Sequence, residues 1–497
     1  MTAEEIEILT RRLTPRPQSI NFRDGAEFLL KDGCPVTVEV TVKTGIRQKL
    51  TALCKQYWNI APELTVKESA AAKKCKPEAY QIDISAEQLN ITAKNWQGVA
   101  NAFKTLRQLA EAIRGTEKVT GYILVPCRIK DYPAMPFRGL HICIFPETPL
   151  WDVEKQIRLA AYYKYNYAVI ECWGNFPFES HPEICWGDRK LDKKELKRLI
   201  KLGKELGITL IPQFNLLGHA AGARSITAKH AILDYQPELQ PLFEPEGWTW
   251  CLTNPATRQL LTDIVLELYE FFEKPPFFHI GCDEAHDAGS CFECRKHELK
   301  DLIGEHILYF HDLFKKRKTR LIMWHDMLLE MEDERWQGYI ACAAKKHHLS
   351  TLYKELPKDI IIADWQYFYD FKNRETPAWP TAKFFKKEKF DVLTCPWKDS
   401  PVIESLGNMA EKEKLMGMLE TTWHISHTRD SLNTILCAAH ASWNPAISQK
   451  EYYTEIIFIV FSMHIRHIIW DMKIREYEKT GTSQYQIDPG HHPHQVS

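Results

Sequence analysis

The stretch "FFHIGCDEAHDAG", residues 277–289, runs from an apolar segment with two phenylalanines straight into two adjacent carboxylates, Asp283 and Glu284. Charged residues at the end of an element usually just face water. The rest of the chain argues for more. Three similar runs precede this one, "FRGLHICI", "YAVIECW" and "GITLIPQFN", and four follow it, "TRLIMWHDM", "DIIIADWQY", "FDVLTCPW" and "LMGMLETTW". Most are near-continuous apolar segments, as expected of parallel strands covered on both faces. Between them the spacing is helical: Val153, Ile157 and Ala161 share one face, as do Leu196, Leu199, Ile200 and Gly203. Strand and helix in alternation close most simply as an α/β fold of the (β/α)8 TIM-barrel type, assigned to residues 133–427.

Such a barrel makes a demand on the sequence, because its active sites sit where the strands end. The strand ends carry Trp173, Asn215 with His219 just beyond, Asp283 and Glu284, Trp324 with Asp326, Trp365 with Tyr367, Trp397, and Trp423. Solvated loops do not call for repeated indoles at strand ends. Aromatic walls with a few convergent polar groups describe a ligand pocket.

Residues 1–132 read as a small α+β domain ahead of the barrel. Val36, Val38, Val40 and Val42 alternate with polar residues, "YQIDIS" and "QLNITA" flank a turn at Ala86 and Glu87, and "GYILVPCRI" adds a further strand. After Asn95, an N-cap, the apolar spacing from Val99 through Phe103, Leu106, Ala110 and Ile113 predicts a helix that runs until Gly115. The prolines of "KDYPAMP", residues 130–136, mark the boundary. Residues 428–497 are expected to form a C-terminal helical segment, centred on 450–477 and packed on the barrel, followed by a polar tail.

With 64 basic and 65 acidic residues and a net charge of -1, no overall field favours nucleic acid or an anionic membrane, so a small-molecule substrate is expected. The N-terminus lacks an apolar stretch of signal-peptide length, and no uncharged run reaches membrane-spanning length. Fourteen scattered cysteines lack the spacing of a disulfide framework. Together these features predict a soluble cytoplasmic protein; its oligomeric state is left open. Cys291 and Cys294 form a C-x-x-C with His286 and His297 nearby, but no second such pair completes a zinc site, so no metal or cofactor is expected.

Two carboxylates in an aromatic, uncharged pocket suggest glycoside hydrolysis. The usual scheme places them on opposite sides of the scissile bond, about 5 Å or more apart. Sequence neighbours suit that poorly. They suit a mechanism in which the substrate supplies its own nucleophile.

At this point the residues resemble a known family. "HIGCDE" is similar to the H-x-G-x-D-E motif of glycoside hydrolase family 20, the β-N-acetylhexosaminidases. "ITAKNWQGVANAFKTLRQL" resembles the end of that family's accessory domain, "DYPAMPFRGLH" its entry into the first barrel strand, and "IPQFNLLGHA" its third strand. "WHDM" and "DWQYFYD" look most like divergent, intracellular members. The resemblance implies an exo-acting retaining hydrolase of terminal β-linked GlcNAc or GalNAc, working through an oxazolinium intermediate. It implies Glu284 as general acid and then base, Asp283 as acceptor of the acetamido N–H, and Arg138 as holder of the C3 and C4 hydroxyls. His219 and Asp326 would bind substrate as part of the site's polar network, and Trp324, Trp365, Trp397 and Trp423 would enclose the sugar. Tyr367 or Tyr369 would donate to the acetamido oxygen.

The chain departs from the family pattern at Gln213 and Asn215, in the strand-two stretch "ECWGNFPFES", and after Trp423, where His424 and His427 replace a glutamate that binds outer hydroxyls. The choice between GlcNAc and GalNAc therefore stays open. Two other readings remain: a carbohydrate-binding barrel without catalysis, and a metal-assisted hydrolase using Cys291, Cys294 and nearby histidines.

Overall fold

In the computed structural model, the described residues are 1–446 apart from 59, 115–118, 186–189, 221–231, 372–376 and 424–428, together with Ile468 and Met472. The chain divides at Asp131/Tyr132, within the proline-rich segment, into an N-terminal unit and a unit spanning Tyr132–Ile447.

The N-terminal unit contains a six-stranded sheet in the order 19–22, 127–131, 80–84, 89–93, 35–40 and 63–68, and a three-stranded sheet of 28–30, 119–124 and 111–114. Val36, Val38 and Val40 are fully buried on one face, whereas Val42 lies beyond the strand and is 60% exposed. The strands around Ala86 and Glu87 pair antiparallel, Ile82 opposite Ile91. Asn95 caps the helix Trp96–Leu109 through Gly98 N–H. That helix stops six residues short of Gly115, because Glu111–Arg114 pairs with Val119–Leu124 as a strand. Ile113 therefore belongs to a strand and not to the expected helix, its helical spacing overridden by pairing at the edge of a sheet. "GYILVPCRI" holds the ends of two strands, Val119–Leu124 and Cys127–Asp131, broken around Pro126.

In the second unit eight strands close a parallel barrel: β1 (Phe137–Ile144), β2 (Tyr167–Cys172), β3 (Thr209–Gln213), β4 (Phe277–His279), β5 (Arg320–Trp324), β6 (Ile361–Trp365), β7 (Asp391–Cys395) and β8 (Gly417–Glu420). Closure is made by β1 on β8, with Phe137 opposite Gly417 and Leu140 opposite Glu420. Gly417 is required there, since a Cβ would stand 1.9 Å from the Phe137 carbonyl oxygen. Phe137, Val169, Ile211, Phe277, Ile322, Ile361, Leu393 and Leu419 fill the interior. Each such side chain contributes about 1.5–3 kcal/mol on burial.

Outside the barrel, α1 (Leu150–Tyr162) buries Val153, Ile157 and Ala161, and α2 (Lys193–Leu206) buries Leu196, Leu199, Ile200 and Gly203. Asp192 caps α2 at its start, and Gly207, at φ +77°, ends it. The helices α3 (Pro255–Phe271), α4 (Leu299–Lys315), α5 (Pro380–Lys387) and α6 (Ser400–Lys412) follow β3, β4, β6 and β7. Between β5 and β6 the described chain runs through short 3-10 turns instead of an α-helix. The helix α7 (Arg429–Trp443) packs on α6, β8 and β1, so the barrel unit extends to Ile447, twenty residues beyond the expected limit of 427. The expected helix over 450–477 and the polar tail fall, save Ile468 and Met472, outside the described residues.

Candidate active site

Regular β pairing in β4 ends at His279, and the chain then turns sharply. Gly281, Cys282 and Glu284 all have left-handed backbones, at φ +64°, +73° and +44°. For the two non-glycine residues this costs of order 1 kcal/mol each, which the surrounding packing has to offset. Neighbours on a regular strand point to opposite faces. The turn removes that alternation and brings both carboxylates to one imidazole: His219 Nε2 stands 3.2 Å from Asp283 Oδ2 and 3.2 Å from Glu284 Oε2. Gly218 and Gly281 make the approach feasible. A Cβ on Gly218 would lie 2.0 Å from the Asp283 carbonyl oxygen, and one on Gly281 would lie 1.6 Å from Asn215 Oδ1.

The electrostatics follow from this arrangement. Burial by itself would lower the His219 imidazole, but Asp283 and Glu284 outweigh it and bring the group up to about 10. The hydrogen bond from His219 holds Glu284 below the usual carboxylate range. Asp283 is only 5% exposed, and its Oδ1 has no hydrogen-bond partner among the described residues. Glu284, by contrast, keeps 34% of its side chain exposed.

Asp326, at the end of β5, is fully buried. Its Oδ2 accepts the backbone N–H of Glu284 at 2.9 Å and its Oδ1 accepts Trp365 Nε1–H at 3.0 Å. These two bonds give Asp326 a positioning role, since it holds the Glu284 backbone and the Trp365 indole. Burial, followed by the charge of Asp283, pushes its carboxyl up to about 6.

Aromatic side chains surround the carboxylates. Trp423 Nε1 donates to the Tyr367 hydroxyl at 2.8 Å. The Tyr367 ring lies 4.9 Å from Trp365 and 5.3 Å from Trp397. Trp173 approaches His219 at 5.8 Å. Trp324 has no exposed surface and packs 4.4 Å from His279 and 5.8 Å from Trp423, so it forms a floor beneath the site and not an open wall. Tyr369 packs into a separate group with Phe371, Trp379 and Tyr339, which leaves Tyr367 as the tyrosine among the site tryptophans.

Arg138 is the clearest correction. It sits at the N-terminal end of β1, opposite Met418, whereas the site lies at the C-terminal ends. Its Nε donates to Lys164 O at 3.0 Å and its Nη1 to Met135 O at 2.8 Å, with the guanidinium 4.9 Å from the Trp443 ring. At 1% exposure its guanidinium is taken up by main-chain oxygens and the Trp443 ring at that end of the strand. The motif "FRGL" marks the strand correctly but carries no measure of which end the arginine occupies. His424 and His427 lie outside the described residues.

Three contributors escape a reading of the sequence. Trp248 donates its indole N–H to the Glu284 carbonyl and packs at a tilt against His219, ring centroids 4.4 Å apart. Glu171, a lone acid within the apolar run of β2, accepts from Asn215 Nδ2 at 3.1 Å and meets His141 Nε2 at 3.0 Å. A charge inside a strand otherwise buried on both faces is the available signal for Glu171 and, with it, His141. Trp248 carries none, since it lies in a long connection far from any strand end.

Comparison with known proteins agrees with this architecture. The chain is 24% identical over 360 residues to a β-hexosaminidase of Vibrio furnissii, covering 64% of this chain and 57% of that protein. It is 26% identical over 283 residues to β-hexosaminidase 1 of Coccidioides posadasii, covering 51% and 46%. The matched stretches thus span about half the length of these curated relatives. Among solved structures, the exo β-N-acetylglucosaminidase of Vibrio harveyi in complex with N-acetylglucosamine superposes with a TM-score of 0.68 at 16% identity, over 93% of this chain and 78% of that one. A β-N-acetylhexosaminidase of Bacteroides fragilis gives 0.65 at 17%, over 95% and 96%. Residues 10–132 match domain 2 of glycosyl hydrolase family 20 and residues 183–458 match its catalytic domain, more than half of the chain; the chain belongs to that family.

Proposed function

We propose that the protein is an exo-β-N-acetylhexosaminidase that releases terminal β-linked N-acetylhexosamine with retention, the substrate's own acetamido oxygen acting as nucleophile. One observation carries this reading: Asp283 and Glu284 converge on the same imidazole, 3.2 Å from each, and so do not flank an anomeric carbon from opposite faces. The buried Oδ1 of Asp283 has no donor among the described residues, and an acetamido N–H is the donor it suits.

In this scheme Glu284 gives a proton to the glycosidic oxygen as the C1–O bond breaks. The acetamido oxygen attacks C1, and Asp283 accepts the N–H and stabilises the positive charge of the oxazolinium ring. Glu284 then takes a proton from water as that water opens the ring at C1. The imidazolium of His219 supplies the proton that Glu284 must carry at the start. An aligned internal nucleophile is worth several kcal/mol, since effective molarities reach about 10⁵ M or more. Named β-hexosaminidases among the relatives support the reaction class. Fourteen cysteines, none in a disulfide, support a reducing, cytoplasmic setting, which cell fractionation tests.

The decisive assay compares aryl β-glycosides of N-acetylglucosamine, N-acetylgalactosamine and glucose. Only the acetamido sugars should turn over, and a cyclic thiazoline mimic of the intermediate should inhibit competitively. Rapid cleavage of the plain glucoside, or a sugar trapped covalently on a carboxylate, would overturn the mechanism. Tight product binding without turnover would mark a non-catalytic barrel.

A further inference from the structure

Beyond the active site, three thiols and a carboxylate meet that the C-x-x-C spacing alone does not connect. Cys251 Sγ lies 3.7 Å from Cys291 Sγ and 3.8 Å from Cys294 Sγ, and these three sulfurs with a Glu244 carboxylate oxygen all fall within 4.8 Å of one another. A tetrahedral zinc with Zn–S bonds of about 2.3 Å has ligand-to-ligand edges of about 3.8 Å. The sulfurs already stand at that spacing, far from the roughly 2.05 Å of a disulfide. His286 and His297, the neighbours that the sequence offers as further ligands, are both exposed and take no part in the cluster.

The carboxylate makes the stronger case. Glu244 is fully buried, and its Oε1 has no hydrogen-bond partner among the described residues. A buried acceptor oxygen left unpaired costs about 1–3 kcal/mol, and thiol sulfurs are poor donors with which to offset it. A cation between the sulfurs and this oxygen removes the penalty. The surroundings are those of a prepared ligand shell. Oε2 of Glu244 accepts Cys291 N–H at 2.5 Å and the Ser290 hydroxyl at 3.3 Å, which fixes the carboxylate plane. Cys294 N–H points at Cys291 Sγ at 3.3 Å, and the Thr253 hydroxyl lies 3.2 Å from Cys294 Sγ and 3.5 Å from Cys251 Sγ. Donors around sulfur stabilise the thiolates a metal requires, and such outer partners tune metal affinity.

We propose that Glu244, Cys251, Cys291 and Cys294 bind one zinc ion with a structural role. Three thiolates and one carboxylate make a closed, soft, four-coordinate set, which selects zinc over calcium or magnesium and offers no open position for catalysis. The ion joins two segments that meet only in the folded chain. One is the turn closed by the Phe243–Trp250 bridge, which presents Trp248 to the Glu284 carbonyl and Trp250 to Asn215 O at 2.9 Å. The other is the loop that carries the chain on from Glu284 to α4. Zinc therefore fixes the support of the acid from behind without touching substrate.

The test is metal content in the full chain. Protein purified without chelator and dialysed against zinc should hold about one zinc per chain by plasma mass spectrometry, bound through sulfur at about 2.3 Å in X-ray absorption. Cobalt in its place should show the charge-transfer absorption of a tetrahedral thiolate centre. Cys251→Ser, Cys291→Ser and Cys294→Ser should each lose the metal and melt at lower temperature, while Cys75→Ser, in the other unit, keeps both. If the cysteine variants do not fold, Glu244→Gln tests the same point, since it should weaken zinc about tenfold or more in competition with a chromogenic chelator while the fold persists. Wild-type protein that stays metal-free after zinc dialysis, a disulfide at Cys251, or unchanged zinc affinity in Glu244→Gln would each overturn the site.

Discussion

The backbone N–H of Glu284 donates to Oδ2 of Asp326 across 2.9 Å, which ties the left-handed turn carrying the acid to the neighbouring strand of the barrel. Asp326→Asn keeps the shape but replaces one acceptor oxygen with a donor, so either the Glu284 N–H or the Trp365 indole N–H loses its partner. A buried donor left unsatisfied costs about 1–3 kcal/mol. Felt in the transition state, that corresponds to a fall in kcat of about 10- to 100-fold. KM should change much less, because Asp326 is fully buried and acts through Glu284 and Trp365. Steady-state kinetics check the split.

Removing the acid itself should cost more. Glu284→Gln should lower kcat/KM by about 10²- to 10⁴-fold, the usual range for a positioned general acid. The loss should be steepest for a disaccharide, whose leaving alcohol needs the proton, and mildest for an activated aryl glycoside. A series of aryl leaving groups measures that gradient.

His219 should set the pH profile. With the imidazole at about 10 between two carboxylates, the group of three loses its last proton only near that pH. In His219→Gln the remaining proton sits on a carboxyl, which releases it at a lower pH, so the alkaline limb of kcat/KM should move down by roughly one unit or more. Folding stability moves with it. The folded value lies above the unfolded 6.5, so the stabilisation is complete below 6.5 and is lost as pH rises through about 10. The wild type should therefore out-melt the variant at pH 6 and converge on it above pH 10, as thermal melts across that window would show.

Arg138 should behave as a structural residue. Arg138→Lys loses the planar fork that bonds Lys164 O and Met135 O at once. The melting temperature should drop by several degrees for about 1–3 kcal/mol lost. Kinetic constants of the folded variant should match the wild type. A raised KM with unchanged melting would place the arginine at the substrate after all.

Strand number, strand order and the ends that bear chemistry are legible in the amino-acid sequence, because each depends on residues close together along the chain. Apolar runs of a few residues state which segments are buried on both faces, and the motif at 277–289 states where one of them breaks. Helix ends are less secure. The run toward Ile113 has helical spacing, yet the sheet takes that residue, since pairing with another strand outweighs a local preference.

Partnership across the barrel is not legible at all. Whether Arg138 lies at the closed or the open end of β1, whether Asp326 is free for a ligand or held by Glu284 and Trp365, and whether Cys251 finds Cys294 from 43 residues away all depend on register and closure. The same is true of His219, placed by the close approach of Gly218 to Asp283. The sequence determined which side chains stand at the strand ends, because strand periodicity is local. Only the tertiary structure decided which of them meet, because a hydrogen bond or a metal-sized cluster needs atoms placed within a few tenths of an ångström, and that precision comes from packing the whole barrel.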